Sequence, residues 1–144
     1  KGGSVNHTEP SGATATSFTP GAAQEGKAIT VTVTGKLAGY TSVSRTSKPT
    51  SAVAAGILTA PTPTIRGTAR VGTTLTAVPG TWTSGTTLSY QWFANGTKIR
   101  GATSVSFTPT TAQRGAKLTV AVTGTKAGYA SKTATSKATT AVAR

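Results

Sequence analysis

The 144-residue chain has no cysteine, no methionine and no aspartate. Without cysteine it can form no disulfide, offer no thiolate to a metal and supply no cysteine nucleophile. Acidic and imidazole groups are nearly as scarce, since Glu9, Glu25 and His7 are the whole stock. A Ser-His-acid or Cys-His constellation cannot be assembled from these, and a catalytic carboxylate pair would have to be Glu9 with Glu25. His7 and Glu9 stand together in "NHTEP", close enough for a hydrogen-bonded pair, but the stretch reads as an exposed turn. One imidazole and two carboxylates give no metal-ligand spacing, so neither a metal nor another cofactor is expected. Long apolar runs are also missing, so this segment contains no membrane-spanning helix and no signal peptide. For a secreted protein the signal would have stood upstream. Sustained 3.6-residue periodicity is lacking as well, so helix is not expected, nor a Gly-rich phosphate cradle ahead of one.

Positive charge is abundant. Fifteen Lys and Arg face two Glu, a formal net charge of +13, and both Glu lie before residue 56. From Gly56 to Arg144 there are ten basic residues and no acidic one. Such a surface attracts polyanions in a salt-sensitive way, or is the scattered charge of a well-solvated secreted protein. Candidate polyanions are wall teichoic acids, acidic polysaccharides, nucleic acid and anionic lipid.

The rest of the text is rich in Val, Thr, Ala, Ser and Gly, a composition that favours strands and turns. It repeats with an offset of 89 residues. "GATATSFTPGAAQEGKAITVTVTG" (Gly12–Gly35) lies over "GATSVSFTPTTAQRGAKLTVAVTG" (Gly101–Gly124), and Ala38–Ala54 lies over Ala127–Ala143. Between Gly12 and Ala54, 26 of 43 positions are identical. The chain therefore divides into residues 1–55, the late part of a truncated repeat, and residues 56–144, a complete one. The "AAGILTAPTPTI" junction is a short linker running into the first strand of the second repeat. Lys1 corresponds to Tyr90, so the first copy lacks its early strands and leaves Phe18, Ile29, Val31 and Val33 uncovered. Completion by a missing segment, or by another chain through swapping, is the expected remedy.

In the complete repeat "TPTIRG" and "VGTTLTAV" alternate apolar with polar residues and read as strands, with "PGTWTSG" as a loop between them and the next strand. "TLSYQWFA" puts Leu88, Tyr90 and Trp92 on one face and Ser89, Gln91 and Phe93 on the other. Asn95-Gly96 is a two-residue hairpin turn, since both positions tolerate positive φ. "SVSFTP" carries Val105 and Phe107 inward. "KLTVAVTG" buries Leu118, Val120 and Val122, "TKAGY" makes the last hairpin, and Ala130–Val142 is a long polar final strand. About seven short strands per repeat imply two sheets burying a face against each other.

"YQWFANGTKIRGATSVSFTPTTAQRGAKLTVAVTG" resembles the C-to-F strand region of immunoglobulin-like domains of the intermediate type. The resemblance makes Trp92 the core tryptophan. It sets Leu118 where a corner tyrosine would stand, Val120 where a strand-F cysteine would stand, and Ala77 at that cysteine's partner, so apolar packing replaces the disulfide. "VGTTLTAVPGTW", "YQW", "GAT" and "VTGTKAGY" together are similar to tandem immunoglobulin-like repeats of secreted actinobacterial proteins. Such repeats often follow the catalytic domains of wall or polysaccharide hydrolases. The expected fold class is therefore all-β: disulfide-free immunoglobulin-like β-sandwich repeats, one complete and one truncated.

Candidate contacts are few. Trp82, in a loop, and Phe93, beside Gln91 on the face opposite Trp92, are the aromatics available to stack on a sugar ring, or else to pack and cap the fold. Arg66, Arg70, Lys98, Arg100, Arg114, Lys117, Lys126 and Lys132 are candidates for binding anions. They are spread over several strands and turns, which argues against a dedicated nucleic-acid platform. The sequons at Asn6 and Asn95 fall on the same turn of each copy and read as turn chemistry rather than glycosylation sites. The expected function is that of a non-catalytic, secreted, wall-associated accessory module. It would be a spacer with weak adhesion to an anionic wall polymer or polysaccharide, multivalent through its repeats. The alternatives are a specific carbohydrate-binding module and the non-catalytic tail of a secreted glycan or wall hydrolase.

Overall fold

The computed structural model describes residues 13–144 and the backbone of one further strand, Gly2–Val5. His7, Glu9 and the Asn6 sequon lie outside the described residues. The chain forms two compact units, Lys1–Gly56 and Ile57–Arg144. The sheets are small, the strands of the three larger ones pair antiparallel, and no α-helix occurs among the described residues. No helix there is long and apolar enough to cross a membrane.

The first unit is built on three strands in the order β1 (Gly2–Val5), β2 (Ile29–Gly35), β3 (Val43–Thr46). At the junction, β4 (Gly56–Ile57) pairs with β11 (Tyr129–Ala130). The second unit has two larger sheets. One joins β5 (Thr64–Arg66), β6 (Leu75–Val78) and β9 (Ser106–Phe107), in that order. The other runs β12 (Lys132–Thr135), β10 (Leu118–Thr125), β7 (Thr87–Ala94), β8 (Thr97–Lys98).

Alternation fixes which face of these strands is buried. Along β10, Leu118, Val120 and Val122 are fully buried while the intervening threonines and alanine are only partly covered. Leu75 and Ala77 of the β5–β6–β9 sheet join Trp92, Leu118 and Val120 of the other sheet in one core cluster, closed by Ala69 and Val142. Trp92 is its centre. Its ring lies 5.7 Å from that of Phe107, and its Nε1 donates to Ser104 O at 2.9 Å. A large aromatic is thus buried with its one polar atom satisfied, which is how an indole becomes a stabilising core group. Full burial of residues such as Leu75 and Val120 contributes roughly 1.5–3 kcal/mol each.

The Asn95-Gly96 turn has φ of 48° and 79°, both positive, as a two-residue hairpin that follows the sheet twist requires. Asn95 also accepts from Lys117 N through Oδ1, tying the turn to the start of β10.

Two strand expectations are corrected. Val105 is 43% exposed and stands just outside β9, whose two residues pair with Leu75 and Thr76. The Trp92 indole, bonded to Ser104 O, brings its ring alongside the segment from which Val105 was expected to point inward. The final strand also breaks up after Thr135. There Ser136 Oγ accepts from Val120 N and Thr139 Oγ from Leu118 N, both at 3.0 Å. Hydroxyl oxygens take the places of main-chain carbonyls, so the chain follows β10 without being a strand.

The two units repeat one hydrogen-bonding plan. The pairs Gly2↔Thr32 through Val5↔Ile29 fall, after the 89-residue offset, on Gln91↔Ala121 through Ala94↔Leu118. Thr32↔Thr46 through Gly35↔Val43 likewise falls on Ala121↔Thr135 through Gly124↔Lys132. Ser47 Oγ accepts from Val31 N and Thr50 Oγ from Ile29 N, as Ser136 and Thr139 do in the second unit. Gln24 Oε1 accepts from Gly21 N as Gln113 Oε1 accepts from Thr110 N. The residue in the place of Trp92 is Gly3.

Candidate functional site

The outward face of the β12–β10–β7–β8 sheet is where Phe93 and Gln91 lie. Phe93 is half-buried between Thr119 on β10 and Lys98 on β8, its two register partners. Gln91 is its neighbour on that face, opposite Ala121. The Gln91 amide is already engaged, since Nε2 donates to Trp92 O at 2.9 Å and to Ile99 O at 2.8 Å. It fastens β7 to the segment after β8, and those two bonds employ both donors of its amide nitrogen.

Trp82 lies elsewhere. A Cβ placed on Gly124 would meet the Trp82 ring at once, so the indole rests directly on the β10 backbone at that glycine. Gly124 follows Val120 and Val122 on the inward side of β10, so Trp82 covers the end of the core. Its Nε1 donates to Pro79 O at 3.1 Å. Glycine within a strand often marks a close approach of this kind. Trp82 and Phe93 therefore belong to opposite faces of the sheet. The three residues proposed for sugar contact do not form one platform.

The eight candidate bases are distributed. Arg66 ends β5, Arg70 bridges to Ala143, and Lys98 lies on β8 beside Phe93. Arg100 occupies the turn after β8, Arg114 follows the 3-10 turn Thr111–Gln113, Lys117 precedes β10, and Lys132 starts β12. All seven are exposed. Lys126 is half-buried, donating from Nζ to Ser84 O at 2.8 Å and lying 4.7 Å from the Tyr129 ring centroid. Glu25 is the only acidic side chain among the described residues. The cationic surface is broad and unneutralised rather than gathered at a point.

Sequence reasoning passed over Lys137. It lines a cleft of about 450 Å³ with Thr62, Pro63, Thr64, Ile65, Ala138 and Thr139. A lysine in a Thr-rich terminal segment carries no pattern that would single it out. No cluster of metal-ligating side chains occurs among the described residues.

No protein-family model, curated protein or solved structure matches this chain.

Proposed function

We propose that this chain is a non-catalytic accessory module of an extracellular protein, composed of immunoglobulin-like sandwich repeats. It serves as a spacer with weak, salt-sensitive adhesion to an anionic wall polymer or polysaccharide. The two-sheet core around Trp92, with Leu118, Val120 and Ala77 buried in it, supports the sandwich reading. The observation that carries the functional reading is the surface charge. Seven of the eight candidate bases are exposed on separate strands and turns, and Glu25 is the one acidic side chain among the described residues. A distributed polycation binds polyanions with little stereospecificity and loses affinity as salt rises. Binding to purified cell walls should fall steeply between low and high ionic strength, and walls stripped of anionic polymer should bind little. Retention unchanged across that range sinks the electrostatic reading.

Sugar stacking is a second reading, supported by Phe93 alone. Its half-exposed ring beside Lys98 and Thr119 offers a small apolar spot on a polar sheet face. Glycan binding abolished by Phe93→Ala, with the fold intact, would favour this reading over diffuse charge.

A further inference from the structure

The first unit displays an apolar face whose counterpart in the second unit is covered by the unit's own early strands. Val31 and Val33 are 47% and 58% exposed, whereas Val120 and Val122, their equivalents, are 0% exposed. Phe18 is exposed too, and Ile29 is half-buried. Their arrangement matches what the second unit's early strands hold onto. Phe107 pairs with Leu75 of β6, while Ser17–Phe18 lies in no strand. Ala143 exchanges main-chain bonds with Ala69 and Val71, and Pro109 O accepts from Gly72 N. Ala54 and Pro20, the equivalents of Ala143 and Pro109, have no such strand partner among the described residues.

Gly35 is the most telling position. Its equivalent, Gly124, is a glycine because the Trp82 indole presses on the strand there. At Gly35 a Cβ would meet only Val43 O, at 3.9 Å, so nothing described in the first unit calls for glycine. Its φ is not among the positive ones, so the backbone does not require glycine either. The socket for the indole is present.

We infer that this face is an acceptor for a partner segment of defined chemistry. The segment is an antiparallel strand pair with alternating small and large apolar residues, followed by a loop carrying an indole. That is the pattern of Ile57–Ser89. Its strands cover Val31 and Val33, its edge pairs with Ser17–Phe18, and its indole seats on Gly35. Apolar burial drives the docking and main-chain pairing sets the register, as in other cases of strand addition.

The probe is a synthetic peptide with the sequence of residues 57–89, added to the full 144-residue chain and followed by hydrogen exchange and calorimetry. The expected result is new protection at Ile29–Gly35 with Leu118–Thr125 unchanged. Gly35→Val should leave the free chain folded yet weaken the peptide by about tenfold or more, because its side chain occupies the indole socket. Val31→Glu should act in the same direction, and a peptide carrying Trp82→Ala should be indifferent to Gly35→Val. Absence of binding, or binding insensitive to both chain variants, overturns the proposal. A dimer of the chain alone that Val31→Glu disperses overturns it too, by assigning the face to a second copy. None of these outcomes depends on the salt-sensitive adhesion, which is scored by wall binding alone.

Discussion

Val31 and Val120 occupy the same place in the same ladder, and their amides both donate to a serine hydroxyl, Ser47 in one unit and Ser136 in the other. One side chain is 47% exposed and the other 0%. The hydrogen-bond plan therefore does not by itself decide whether a strand face becomes a core. Cover decides it. The second unit has Leu75, Ala77 and Trp82 over its β10, with Trp92 beside Val120 on the same buried face, and the first has Gly3 in the place of Trp92. The matched positions make the molecule its own control.

The strongest way to break the contrast is to remove the indole at its centre. Trp92→Ala should cost about 3–5 kcal/mol, through the emptied core and the orphaned Ser104 carbonyl, read by urea unfolding of the second unit. A loss below about 1 kcal/mol would mean the cluster is not organised around Trp92. Glycine exchange comes next. Gly124→Val must displace the Trp82 ring and should destabilise by roughly 1–3 kcal/mol, whereas Gly35→Val should be neutral or slightly favourable in a strand. Equal losses at both sites would contradict the assignment of Trp82 as the cover of Gly124.

Truncating the paired valines sharpens the comparison further. Val120→Ala should cost about 2 kcal/mol and Val31→Ala at most about 0.5 kcal/mol in thermal unfolding of the matching unit. The smallest difference between the units belongs to the part they share. Thr123 bonds Thr133 at 2.8 Å and Thr34 bonds Ser44 at 2.7 Å, hydroxyl to hydroxyl. Thr123→Ala and Thr34→Ala should each cost about 0.2–1 kcal/mol, and by similar amounts. A large difference between them would show that the ladders are not equivalent in strength.

Much of this was readable from residue order. The alternation of Leu118, Val120 and Val122 announced a buried strand, and "NG" at residues 95–96 announced its turn, because both signals are local. The exposed face of Phe18, Val31 and Val33 was also legible, from a repeat offset that left nothing aligned above it. What escaped was long-range or side-chain-specific. The contact between Trp82 and Gly124 joins residues 42 positions apart, and no periodicity marks it. Gln91 read as a possible sugar contact, but its amide closes on Trp92 O and Ile99 O once the hairpin brings Ile99 back. The final segment read as one strand since Thr and Ser favour strands, yet their hydroxyls compete for the ladder at Ser136 and Thr139. Val105 followed the two-residue period and missed: its carbonyl accepts from Ala77 N, but the strand begins only at Ser106 and the Val105 side chain is 43% exposed.

The most direct test of cover against ladder is amide exchange at the matched valines of the free chain. Val120 and Val122 amides should exchange only with global opening of the second unit. Val31 and Val33 amides should exchange by local opening, faster on the order of a hundredfold or more. Equal protection at the two pairs would contradict the account, because it would mean that the shared ladder alone confers stability.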